Sequence, residues 1–112
     1  MGLFDKIKKG IELKQPPSSS DNAEKIHKRI SILEKKLQST PDDVQIIIQL
    51  YKNYVDLSDT PKKIECMERL SELRPFDSYP LQQLADIYLN DLDDLKNAKI
   101  FQDKTNKIDK FL

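Results

Sequence analysis

The chain has 112 residues, with nineteen basic and nineteen acidic side chains, one histidine, one cysteine, two glycines and no tryptophan. That is one small domain with room for a tail, and it can hide roughly two-thirds of its unfolded surface without covalent staples. The zero net charge removes the broad attraction on which non-specific nucleic-acid binders rely, so no nucleic-acid partner is expected. Cys66 is alone, which excludes an internal disulfide and fits a reducing compartment. Gly2 and Gly10 cannot form a phosphate-cradling loop or supply the turns of an all-β chain. No apolar run approaches the roughly 18 residues of a membrane span, and the first residues lack a secretory leader's pattern. The expected location is the cytoplasm, with possible contact to a membrane surface.

In chain order, residues 1–14 read as an amphipathic helix. Leu3, Phe4, Ile7 and Ile11 share one face, while Asp5, Lys8, Lys9 and Glu12 occupy the other. Residues 15–22, with two prolines and three serines, read as a flexible linker. A helical domain is expected over 23–112. Its first helix starts near Asn22, with Asp21 and Glu24 at capping-box spacing, and carries an inner stripe of Ile26, Ile30, Leu33 and Leu37. The next runs from about Asp43 to Leu57. Ile47, Leu50, Tyr51, Tyr54 and Leu57 lie on one side of it, and Val44, Ile48 and Val55 form a second apolar strip. Thr60 can cap the following helix and Pro61 suits its first position; Ile64, Met67, Leu70 and Leu73 are its stripe. Pro75 ends it. Asp77 or Ser78 caps another helix that buries Leu81, Leu84, Ala85 and Tyr88, and a last one turns Leu95, Ala98, Phe101, Thr105, Ile108 and Leu112 inward.

These helices repeat. Pro41 and Pro75, Asp43 and Asp77, Gln49 and Gln83, Leu50 and Leu84, Tyr54 and Tyr88, Asp59 and Asp93, and Lys62 and Lys96 are each 34 residues apart with no gap. In the second helix of each pair the match is threefold: Ile30, Ile64 and Ala98; Ile32, Cys66 and Ile100; Leu33, Met67 and Phe101. On these residues the chain resembles the tetratricopeptide repeat family, as one leading half-repeat followed by two full ones over roughly residues 23–109. The family's leucine falls on Leu50 and Leu84, its tyrosine on Tyr54 and Tyr88, and its closing proline on Pro41 and Pro75. Ala85 keeps the small residue that Tyr51 replaces. The two small positions of the second helix are occupied by Lys63 and Asn97, and by Leu70 and Lys104, which departs from the family. The resemblance implies an all-α, short α-solenoid of antiparallel helix pairs. Its leading helix pair lacks a first member, a vacancy that Leu3 to Ile11 could fill by folding back.

Catalytic and metal readings are weak. One histidine and one thiol make no zinc set, and His27 sits beside the Ile26 and Ile30 stripe rather than on it. Cys66 reads as a partly buried hydrophobe. The pairs Asp42–Asp43 and Asp93–Asp94 stand at helix starts, where the helix dipole explains them. No enzyme activity and no cofactor are expected. The resemblance implies instead an adaptor that binds a peptide or helix of a partner protein on a concave face. That face would be lined by Gln45, Ile48, Gln49, Lys52, Val55, Asp56, Gln82, Gln83, Asp86, Leu89 and Asn90. Asp56 and Asp86 beside Lys52 and Asn90 do not suit the family's clamp for a C-terminal carboxylate. Two other readings stay open. The segment bearing Leu3, Phe4, Ile7 and Ile11 has four lysines against two acids through Lys14 and could rest weakly on an anionic membrane or a partner groove. Ile108, Phe111 and Leu112 could drive self-assembly.

Overall fold

Proline, cap and apolar stripe alternate along the chain, and five helices result. The computed structural model describes residues 20–111: α1 (Ser20–Ser39), α2 (Val44–Asp56), α3 (Thr60–Leu73), α4 (Tyr79–Asn90) and α5 (Leu95–Phe111). No strand occurs among the described residues, and the fold is all-α. The expected N-terminal helix with Leu3, Phe4, Ile7 and Ile11, most of the linker, and Leu112 lie outside them.

Local chemistry accounts for the helix starts, with two departures from the sequence reading. Ser20 is already helical, so Asp21 stands within the first turn of α1 rather than before it. At α2, Asp43 caps as expected, its carboxylate accepting from the backbone N–H of Gln45 at 3.0 Å and Ile46 at 3.2 Å. At α3 the cap is Asp59, which accepts from Lys62 N at 3.2 Å. Thr60 is the first helical residue instead, and it spends its hydroxyl on Asp91 of the α4–α5 turn. At α4, Asp77 accepts from Tyr79 N at 3.0 Å, whereas Ser78 makes no side-chain cap bond. Pro80 fits the first turn because its missing N–H has no helical partner there.

The repeat is real in its first half and slips by one residue in its second. Around Pro41, Thr40 N donates to Lys36 O and Asp43 N to Thr40 O; around Pro75, Arg74 N donates to Leu70 O and Asp77 N to Arg74 O. Those bonds coincide at 34 residues. After Tyr54 and Tyr88 they do not. Tyr54 O accepts from Asp59 N, five residues on, and Tyr88 O accepts from Asp94 N, six residues on. The second turn therefore holds one extra residue. Asp94, not Asp93, takes the capping place of Asp59, accepting from Asn97 N at 3.1 Å. Asp93 takes the place of Ser58: both are left-handed, at φ 51° and 55°, a conformation that aspartate tolerates better than most residues. Counted from these caps, Lys63 matches Ala98 and Leu70 matches Thr105, and both α5 residues are buried. The α5 places that correspond to Lys63 and Leu70 thus hold Ala98 and Thr105 rather than Asn97 and Lys104.

Packing joins chain neighbours: α1 lies on α2, α2 on α3, α3 on α4 and α4 on α5, and no other pair among the described helices makes close backbone contact. Ile26, Ile30 and Leu33 of α1, Ile47, Leu50, Tyr51 and Tyr54 of α2, Cys66, Met67 and Leu70 of α3, and Leu84 and Ile87 of α4 form one continuous core. Fully burying such a side chain contributes about 1.5–3 kcal/mol. Three expectations fail here. Ile32 and Ile100, matched by period to buried Cys66, are exposed, and so is Leu95. The α5 register slip explains Leu95 and Ile100. Ile32 lines an open groove beside α2 and stays more than half exposed.

Polar links fix the order of the helices. Tyr54 Oη donates to Glu34 Oε2 at 3.0 Å, tying α2 to α1, and Tyr51 Oη donates to Gln83 Oε1 at 3.0 Å, tying α2 to α4. Tyr88 stacks on Phe101 of α5 with ring centroids 5.5 Å apart. Lys63 Nζ meets Asp91 Oδ2 at 2.5 Å, so the start of α3 grips the end of α4.

Candidate functional site

The α2 and α4 helices present matching outer strips. Lys52 and Asp86, Val55 and Leu89, and Asp56 and Asn90 are pairs 34 residues apart, and all six are exposed. Val55 is 43 % exposed and Leu89 46 %, so an apolar side chain recurs at the same place on each helix amid charged and amide neighbours. Nothing in the core demands these two positions. Covering both would contribute roughly 1 kcal/mol each, about half the value of a complete burial. Ile48 is half-buried against the core cluster, while Gln45 and Gln49 are exposed.

Two members of the expected lining are otherwise engaged. Gln82 forms a reciprocal amide pair with Gln102 of α5, at 2.9 and 3.1 Å, and donates to Asp86 at 3.2 Å. It therefore serves the contact between α4 and α5 rather than the open strip. Gln83 accepts the Tyr51 hydroxyl and bridges α4 to α2. That phenol is pushed up to about 12 by its burial, with Tyr79, Asp91 and Asp86 adding to the effect. It stays a neutral donor at any ordinary pH. Burial, followed by the bond to Glu34, raises Tyr54 as well.

No family model matches the chain, and no curated protein matches it in sequence.

A second concavity, of about 250 Å³, lies between α1 and α2 and is lined by Arg29, Ile32, Leu33, Gln49, Lys52 and Asn53. Sequence reasoning assigned only Gln49 and Lys52 of these to a binding face. Asn53 was the available signal: it sits beside Leu50 and Tyr54 on the inner side of α2, where an amide needs partners. It is buried and has them, donating to Gln49 O at 2.8 Å and accepting from Arg29 Nε at 3.1 Å.

The remaining reactive groups are accounted for by packing and charge pairing. Burial pushes the Cys66 thiol up to about 12; Glu65 adds to this and Lys62 opposes it. A thiol so placed is protonated at neutral pH and a poor nucleophile. The hydrogen bond from Lys63 holds the Asp91 carboxyl below the usual carboxylate range. His27 is exposed, as its place beside the stripe predicts. Among the described residues, no group of three His, Cys, Asp or Glu side chains could hold a metal ion. No helix among them is long and apolar enough to cross a membrane.

Proposed function

We propose that the chain is a non-enzymatic adaptor of tetratricopeptide type, working in the cytoplasm, which binds an extended or helical segment of a partner protein along the outer strips of α2 and α4. The observation that carries this reading is the repetition of a half-exposed aliphatic, Val55 and then Leu89, at equivalent places on the two helices, each flanked by charged or amide groups. A partner segment with apolar side chains at regular spacing could dock on both, its polar atoms meeting Lys52, Asp56, Asp86 and Asn90. Packing of each described helix on its chain neighbours supports the solenoid part of the reading, because stacked helix pairs shield one another in that way.

The test reverses Lys52 and Asp86 together, as Lys52→Glu with Asp86→Lys, and compares captured partners with those of the unchanged chain. Both side chains are exposed, so helicity by circular dichroism should be preserved while partner binding weakens. A photo-crosslinker at Val55 or Leu89 should trap the same partner, and one at exposed Glu68 of α3 should not. An unchanged set of partners in the folded double variant removes the proposed face.

A further inference from the structure

We infer that the α4–α5 turn of one molecule docks into the α1–α2 groove of a second copy, joining the chains head to tail. The two surfaces complement each other in charge and in apolar content. The groove has no carboxylate in its lining: Arg29 and Lys52 stand beside Ile32 and Leu33. Ile32 is 56 % exposed. Arg29 is held in place, because buried Asn53, itself anchored on Gln49 O, accepts its Nε. That leaves the two terminal guanidinium nitrogens for another acceptor. No ion pair among the described residues uses Arg29 or Lys52.

The opposite surface is the segment Asp91-Leu92-Asp93-Asp94-Leu95. Leu92 is 46 % exposed and Leu95 65 %. Asp91 is engaged by Lys63 and Thr60, and Asp94 by Asn97. Asp93 makes no ion pair among the described residues. An aspartate between two exposed leucines is the chemistry that an apolar floor flanked by unpaired cations would accept. The chain's own N-terminal stretch is a poorer occupant, since Lys6, Lys8, Lys9 and Lys14 would face like charge. Groove and turn are different surfaces, so the contact is heterologous and leaves one of each open at the ends of every assembly. One turn seated in one groove is a small interface, so the association is weak. Lys52 belongs both to this groove and to the partner-binding strip of α2, so the substitutions below leave it unchanged.

Sedimentation velocity on the full chain, up to about 2 mM, should show concentration-dependent assembly that weakens as salt rises. Ile32→Ser with Arg29→Gln, on the groove side, should weaken it at least tenfold, and so should Asp93→Asn with Leu95→Ser, on the turn side. Each of these variants keeps one good surface. Mixed together, the two should form a dimer that grows no further. A chain that stays monomeric throughout overturns the inference. So does assembly that survives both sets of substitutions, or a mixture of the two variants that does not recombine.

Discussion

Replacing Asp91 by alanine should destabilise the chain by about 1–3 kcal/mol, because one of its carboxylate oxygens receives two donors from the start of α3. Lys63 Nζ lies 2.5 Å from Asp91 Oδ2, and Thr60 Oγ1 donates to the same oxygen at 3.1 Å. The Lys63 side chain is 12 % exposed and that of Asp91 28 %. The pair therefore falls between an exposed ion pair, worth about 0–1 kcal/mol, and a buried one, whose breaking costs about 3–5 kcal/mol. Lys63→Met keeps most of the stem and removes the charge. A double-mutant cycle with Asp91→Ala should give a coupling of about 1–2 kcal/mol from urea unfolding followed by circular dichroism. For a domain of this size, each 1 kcal/mol lowers the melting temperature by about 4–8 °C. The sign of the pH dependence follows from the depressed Asp91 carboxyl. Its contribution is complete above the unfolded value of about 3.9 and is lost as pH falls through the lower folded value. The gap between wild type and Asp91→Ala should thus narrow below about pH 4. A coupling within about 0.3 kcal/mol of zero would refute the claim that this contact fastens α3 to α4.

Three further expectations follow from single contacts. Met67, with none of its surface exposed, should cost about 2–5 kcal/mol when cut to alanine, measured by urea unfolding. Asp94→Ala should destabilise the chain through loss of a cap, whereas Asp93→Gly should be neutral or stabilising because φ 51° suits glycine; thermal melts that reverse this order would restore the ungapped register. Cys66, with its thiol pushed up to about 12, should resist iodoacetamide at pH 8 in the folded chain and react readily in urea, as followed by mass spectrometry. Fast labelling of the native chain would place the thiol at the surface.

Much of the helical order was readable because it depends on local signals. Asp43 and Asp77 sit at the right distance before apolar stripes, and both cap. Pro41 and Pro75 interrupt helices at the same point in each unit. The stripes of α1, α2 and α3 are buried or half-buried as their spacing predicts, since a 3.6-residue period places those side chains on one face. Thr60 was misread because Asp59 and Thr60 are both competent caps. The choice between them was decided at a distance, by the pull of Asp91 on the threonine hydroxyl. For the same reason Gln82 could not be told from its neighbour Gln83. Only the position of α5 shows that one amide turns to Gln102 and the other to Tyr51.

The register slip has a different cause. Asp93 and Asp94 are identical in chemistry, so an ungapped comparison pairs Asp59 with the first and loses nothing in similarity. The backbone separates them by demanding a left-handed residue before the cap, a role that Ser58 fills in one turn and Asp93 in the other. The extra residue lies ahead of Asp93, where Leu92 stands half-exposed with no counterpart in the shorter turn. Packing alone would remove such a leucine. Turns tolerate insertions at small thermodynamic cost, and departures from a local rule tend to collect where a surface has work to do. The turn where the two units differ in length also exposes Leu92 and Leu95 beside Asp93, which makes no ion pair among the described residues. The helix that follows Leu92 still buries Ala98 and Thr105 in the positions that keep α5 on α4, so the insertion changed the surface and left the core contact standing.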